Sequence, residues 1–180
     1  MTLTVTAEDQ PDDPPQPEKK IEWCRIQSPD KLSGRVNQES AMIYGQVYVP
    51  GCTGAGTQCE GLKAEVGYGD PAAEVSTFTF ASAKYNDGVD VGNNDEFMGT
   101  LKPTAAGDYA VVYRFSLDGE NWTYCDYDDE NGFKMDRAIS MSISDKDKIV
   151  WCRTILDRAD VQKGGSANAY GQVWVENCSE

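Results

Sequence analysis

Two stretches of this sequence repeat one another. Residues 21–25 read Ile-Glu-Trp-Cys-Arg and residues 149–153 read Ile-Val-Trp-Cys-Arg. After the first come Ala41, the run Tyr44-Gly45-Gln46-Val47-Tyr48-Val49, and Cys52. After the second come Ala167, the run Tyr170-Gly171-Gln172-Val173-Trp174-Val175, and Cys178. Trp23 and Trp151 stand 128 residues apart and Tyr44 and Tyr170 stand 126, so one small deletion separates the copies. Chance does not place this many matches in order. A period of about 125 residues is the size of one domain and the mark of a tandem array. The expected organisation is therefore a complete module at 21–144 and the opening strands of a second copy at 145–180. At the other edge, Met1-Thr2-Leu3-Thr4-Val5-Thr6 alternates as Ala138–Ser144 does just before the second Trp-Cys-Arg. Residues 1–20 read as the last strand of a preceding module followed by an acidic linker with four prolines.

Within 21–144 the hydrophobic period is two, not 3.6, which predicts strands and no helix. Strands are expected near 21–27, 41–49, 61–68, 75–83, 95–101, 107–116, 121–126 and 137–144. In the sixth, Tyr109, Val111, Tyr113 and Phe115 share one face and Ala110, Val112 and Arg114 the other. Asp118-Gly119 suits a hairpin into Trp122 and Tyr124, and Asn86-Asp87-Gly88 marks another turn. Many short strands punctuated in this way predict an all-β, immunoglobulin-like two-sheet sandwich, with a small closed barrel as the alternative.

Six cysteines and no histidine bear on compartment and chemistry. No Cys-x-x-Cys pair is present, so zinc is not expected. Widely spaced cysteines in even number predict disulfides and an oxidising, extracellular or cell-surface location. Cys24 and Cys52 have counterparts at Cys152 and Cys178, so the expected bridges are Cys24–Cys52 and Cys152–Cys178, leaving Cys59–Cys125. The N-terminus has no basic start, apolar core or small-residue cleavage site and is not a signal peptide. No run of about 18 apolar residues is present, so no membrane insertion is expected.

The net charge of −14 repels nucleic acid and anionic membranes. Without histidine there is no Ser-His-Asp or Cys-His apparatus. Paired carboxylates alone support glycoside hydrolysis, but no acid here sits in an evident apolar pocket motif. A non-catalytic role is expected.

Further residues carry a resemblance. Gly67-Tyr68-Gly69, Tyr85-Asn86, Asn94-Asp95-Glu96-Phe97 and Ala106-Gly107-Asp108-Tyr109 lead into Tyr113-Arg114-Phe115-Ser116-Leu117-Asp118-Gly119 and Trp122-Thr123-Tyr124-Cys125-Asp126. Over residues 21–144 this pattern resembles a β-sandwich accessory module of large secreted bacterial proteins, similar to segments beside starch-active enzymes and other extracellular hydrolases. The resemblance implies a non-catalytic role; the expected function is spacing, adhesion or surface presentation, with a carbohydrate-binding accessory module of a secreted hydrolase as the alternative.

Two candidate sites stand out in the sequence. Trp122, Tyr124 and Tyr127 beside Asp126 and Asp128 combine rings that stack on sugars with carboxylates that accept hydroxyl hydrogen bonds. A glycan or a cell-surface protein is then a partner, besides neighbouring modules of the same chain. Asp126, Asp128 and Glu130, in Asp126-Tyr127-Asp128-Asp129-Glu130-Asn131-Gly132, alternate oxygen donors toward a glycine turn, as a calcium loop does. The glycine comes one place late and no twelfth-position glutamate follows, so a solvated acidic hairpin loop is the favoured reading. Asn93, Asn94, Asp95 and Glu96 form a second, similar cluster. Trp23 and Trp151, each beside a cysteine, are expected in the core, and Arg114 is expected to pair with an acid such as Asp126.

Overall fold

The computed structural model describes residues 19–130, 132–145, 149–154, 163, 165 and 170–175. The first sheet holds β1 (Trp23–Ser28), β3 (Ile43–Tyr48), β7 (Asp95–Gly99) and β6 (Lys84–Tyr85), in the order β1-β3-β7-β6. The second holds β2 (Lys31–Arg35), β10 (Ile139–Ser144), β8 (Gly107–Ser116), β4 (Lys63–Gly69) and β5 (Thr79–Ser82), in the order β2-β10-β8-β4-β5. A short β9 (Thr123–Cys125) also pairs with β8. Apart from β2 and β9, this is the immunoglobulin arrangement, A-B-E-D against G-F-C-C′. The module is an all-β two-sheet sandwich and not a closed barrel.

Period-two patterning explains each face. β10 reads Ile-Ser-Met-Ser-Ile-Ser and alternates buried with exposed without a break. β8 is apolar on both faces because both are covered. Val111, Tyr113 and Phe115 point into the core between the sheets, with Ile26, Ile43, Val47, Val66, Phe97 and Met141. Ala110 and Val112 point outward, where Phe78, Phe80, Phe133, Met135 and Ala138 close over them.

The B- and F-type strands are joined by a ring rather than a disulfide. Gly45 on β3 lies under Tyr113 on β8, and a Cβ there would come within 2.8 Å of the ring. The Tyr113 hydroxyl donates to the carbonyl oxygens of Ile43 (3.0 Å) and Phe97 (3.2 Å). Burial first, and Glu96 second, push its pKa far above the ordinary tyrosine value.

The last strand is interrupted. β9 pairs with β8 through Tyr113–Phe115, and β10 pairs with the same side of β8 through Gly107–Val111. Residues 126–138 leave the sheet between them, and Phe133, Met135 and Ala138 of this excursion cover the outer face of β8.

The disulfides differ from the expected pairing. Cys24 bonds Cys125 and Cys52 bonds Cys59, with Cα–Cα distances of 5.6 and 5.1 Å. Cys24 faces Val47 in the β1–β3 register, whereas Cys52 lies beyond the end of β3, in a turn whose amide donates to Val49. Sequence proximity therefore does not bring Cys24 to Cys52. Across the sandwich, the Ile26 amide donates to the Asp126 carbonyl at 2.6 Å and draws β1 against the end of β9. Cys24–Cys125 thus staples one sheet to the other. Cys178 lies outside the described residues, as does the strand expected at 1–6, and Cys152 is exposed with its thiol free.

Beyond the sandwich, β11 (Ile149–Thr154) and β12 (Gly171–Val175) form a separate antiparallel pair. Both strands fall within the stretch 145–180 read in the sequence as the opening of a second copy.

Candidate functional site

The residues singled out in the sequence fall into two places. Trp122 and Tyr124 lie on the outer face of the second sheet. Arg114 projects there from β8, and its guanidinium carbon sits 3.7 Å from the Phe80 ring centroid and 4.2 Å from that of Trp122. Its partner is Glu65 on the adjacent β4, which accepts from Nε at 2.7 Å and from a terminal nitrogen. The expected pairing with Asp126 does not occur, because the register sets Arg114 beside Glu65 and Asp126 turns into the excursion. Tyr124 tilts between Phe80 and Phe133, at 6.2 and 6.1 Å. One face of Trp122 is thus taken by a cation and Tyr124 by two rings. Tyr127, 42% exposed, stands apart on the excursion.

The acids of the excursion hold the loop itself. Asp126 is buried, and its carboxylate accepts from the amides of Asp128 (3.0 Å) and Lys134 (2.7 Å). Burial raises its pKa above the ordinary carboxylate value, against the Lys134 amide and the charges of Arg137 and Lys134. Asp128 pairs with Arg137, and Glu130 accepts from Lys134 (3.0 Å) and Arg137 (3.1 Å). Asp129 pairs with Arg25 on β1, and its carbonyl accepts from the Trp23 indole at 3.0 Å. Alternating oxygen donors thus answer to three cationic side chains and to turn amides. Among the described residues no group of three or more carboxylates or cysteines is placed to hold a metal ion.

The second acidic cluster is divided between tasks. Asp95 is buried and accepts from the amides of Gly54 (3.1 Å) and Cys59 (2.7 Å), fixing the loop closed by Cys52–Cys59. Glu96 is buried and accepts from Gln46 (3.3 Å) and Asn86 (2.6 Å).

One surface feature departs from the reading of the sequence. Trp23 is not in the core as expected. It lies half-buried on the outer face of the first sheet, because its indole is drawn to Asp129 and its neighbour Cys24 takes the inward position. Trp23 is opposite Tyr48 across the β1–β3 pair. With Asn93 and Asn94 they line a shallow cleft of about 440 Å³. Rings and amides at an open cleft make stacking surface and hydrogen-bond donors available together. The one signal was the occurrence of Trp174 at the place of Tyr48.

No family model matches the sequence, and no curated protein does. Among solved structures the chain is similar to the CARDB domain of a Pyrococcus furiosus protein, crystallised in complex with di-metal ions. The two are 13% identical, with a TM-score of 0.34, over 71% of this chain and 96% of that one.

Proposed function

We propose that the chain is a non-catalytic, exported immunoglobulin-like module that acts by reach and presentation in series with modules of its own kind. The observation that supports this most is the pairing of β11 with β12, which repeats the opening strand pair of the sandwich. Two structural disulfides fit an oxidising compartment outside the cell. Among the described residues no helix is long and apolar enough to cross a membrane. The charge of −14 argues against nucleic acid as partner and favours a soluble, self-repelling surface.

A second reading is a carbohydrate-binding accessory module of a secreted hydrolase. It rests on the cleft of Trp23, Tyr48, Asn93 and Asn94 rather than on Trp122, Tyr124 and Asp126. A glycan array and a pull-down on insoluble starch decide between the two. The spacer reading expects no retention. Retention that Trp23→Ala and Tyr48→Ala abolish would overturn it in favour of the glycan.

A further inference from the structure

The β11–β12 pair carries a bare copy of a surface that the same chain shows covered. In the first copy Trp23, Cys24, Arg25 and Ile26 face Tyr48, Val47, Gln46 and Gly45. In the second, Trp151, Cys152, Arg153 and Thr154 face Trp174, Val173, Gln172 and Gly171. The register is identical, residue for residue. Their surroundings are not. Val47 is 0% exposed and Val173 is 59% exposed. Cys24 is in a disulfide and Cys152 is a free, exposed thiol. The far edge of β3 pairs with β7, and Gln46 reaches Glu96 there. Among the described residues β12 pairs only with β11.

Glycine decides what belongs on this surface. At Gly45 a side chain would strike the Tyr113 ring at 2.8 Å. At Gly171 the nearest atom to an added Cβ is the Arg153 carbonyl oxygen, at 3.7 Å. Both glycines have extended, negative-φ backbone, so neither is required by conformation. Gly171 thus has open room at the place where Gly45 carries a ring.

We infer that the inward face of β11–β12 is a docking surface for the complementary part of a second immunoglobulin-like module, equivalent to β4 through β10 of this one. That partner brings an aromatic ring onto Gly171, an acidic strand to the edge of β12 beside Gln172, and a cysteine to Cys152. The inference rests on the serial-module reading above and names the partner of the β11–β12 pair. Bond formation at Cys152 oxidises two thiols to one disulfide. A small disulfide such as oxidised glutathione is reduced to two thiols and takes up both protons.

The test extends the whole chain after Glu180 with a second copy of residues 55–145, in glutathione redox buffer. Amides of 149–154 and 171–175 are expected to exchange at least tenfold more slowly than in the original chain. Trp174 fluorescence should move to shorter wavelength, and peptide mapping should join Cys152 to the added copy of Cys125. Gly171→Val should undo this protection in the extended chain and leave exchange and melting of the original chain unchanged. Gly45→Val is the positive control and should lower the melting temperature of the original chain. Unchanged exchange in 149–175, an added segment that stays unfolded, or indifference to Gly171→Val in the extended chain would each overturn the inference. So would sedimentation of the original chain as a dimer with Val173 and Trp174 protected, since a second copy would then be the occupant. Glycan retention would sink the spacer reading while leaving these measurements as they stand.

Discussion

Opening the two disulfides separately gives the sharpest check on the fold. Cys24–Cys125 closes 101 residues and Cys52–Cys59 closes 7. In the loop-entropy relation, a loop of 100 residues restricts the unfolded chain by about 4.7 kcal/mol and one of seven or eight by about 2.5 kcal/mol. Cys24→Ala with Cys125→Ala should therefore cost about 2 kcal/mol more than Cys52→Ala with Cys59→Ala. Against a total of about 5–15 kcal/mol for a domain, the first pair removes a large fraction of the stability. Guanidinium denaturation followed by tryptophan fluorescence measures both. The comparison also separates the observed connectivity from the one expected from spacing. If Cys24 were bonded to Cys52 and Cys59 to Cys125, each double substitution would open both bridges, and the two variants would be equally destabilised. Equal losses would refute the structure's pairing, as would free thiols at Cys24 and Cys125 in the unreduced protein.

Three other outcomes are expected. Arg114→Ala removes a cation held between Phe80 and Trp122 and leaves Glu65 without its partner, so it should cost roughly 1–2 kcal/mol in chemical denaturation, and a loss below about 0.5 kcal/mol would contradict the stacking. NMR titration should find the Asp118 carboxyl well below the ordinary carboxylate value, chiefly through hydrogen bonds from Asn121, with its stabilising effect present above the unfolded pKa and lost as pH falls through the folded one; Asp126 should lie above the ordinary value, its effect complete below the unfolded pKa and lost as pH rises through the folded one. Millimolar calcium should leave the melting temperature unchanged, because the 126–132 carboxylates already meet Arg25, Lys134 and Arg137; a site filled at a hundred times its Kd would add about 2.7 kcal/mol and could not be missed.

The sheets were legible in the sequence wherever one face is wet or both are dry. β10 announced its faces through strict alternation and β8 through rings and branched residues at every second position, and each of the eight expected stretches overlaps a strand. β2 was missed because Lys31-Leu32-Ser33-Gly34-Arg35 buries only Leu32 deeply, so no period shows. It is held by its parallel pairing with β10, a long-range contact. The break between β9 and β10 was illegible for a related reason. Residues 121–126 and 137–144 each read as strands, and nothing local says that they share one edge of β8. Disulfide connectivity was misread because spacing along the chain says nothing of the distance between sheets. Trp23 was misplaced because the cysteine beside it has the inward position, and neighbours on a strand face opposite ways.

The excursion between β9 and β10 shows what the acids of the candidate loop bond to within the fold. An immunoglobulin-like sheet with Ala110 and Val112 on its outer face would leave that face wet. Inserting 126–138 into the last strand brings Phe133, Met135 and Ala138 down over it. A loop leaving a sheet in mid-strand exposes backbone amides at both ends, and Asp126, buried at the exit, takes the amide of Lys134 across the base of the loop and that of Asp128 within it. The remaining acids need cations. Lys134 and Arg137 supply them from the returning limb and Arg25 from β1, next to the cysteine that staples β1 to β9. Disulfide, buried carboxylate and ion pairs thus converge on one junction between the sheets. The carboxylates of the acidic motif are engaged there by side-chain cations and turn amides, while Trp23 and Tyr48 line an open cleft elsewhere on the first sheet.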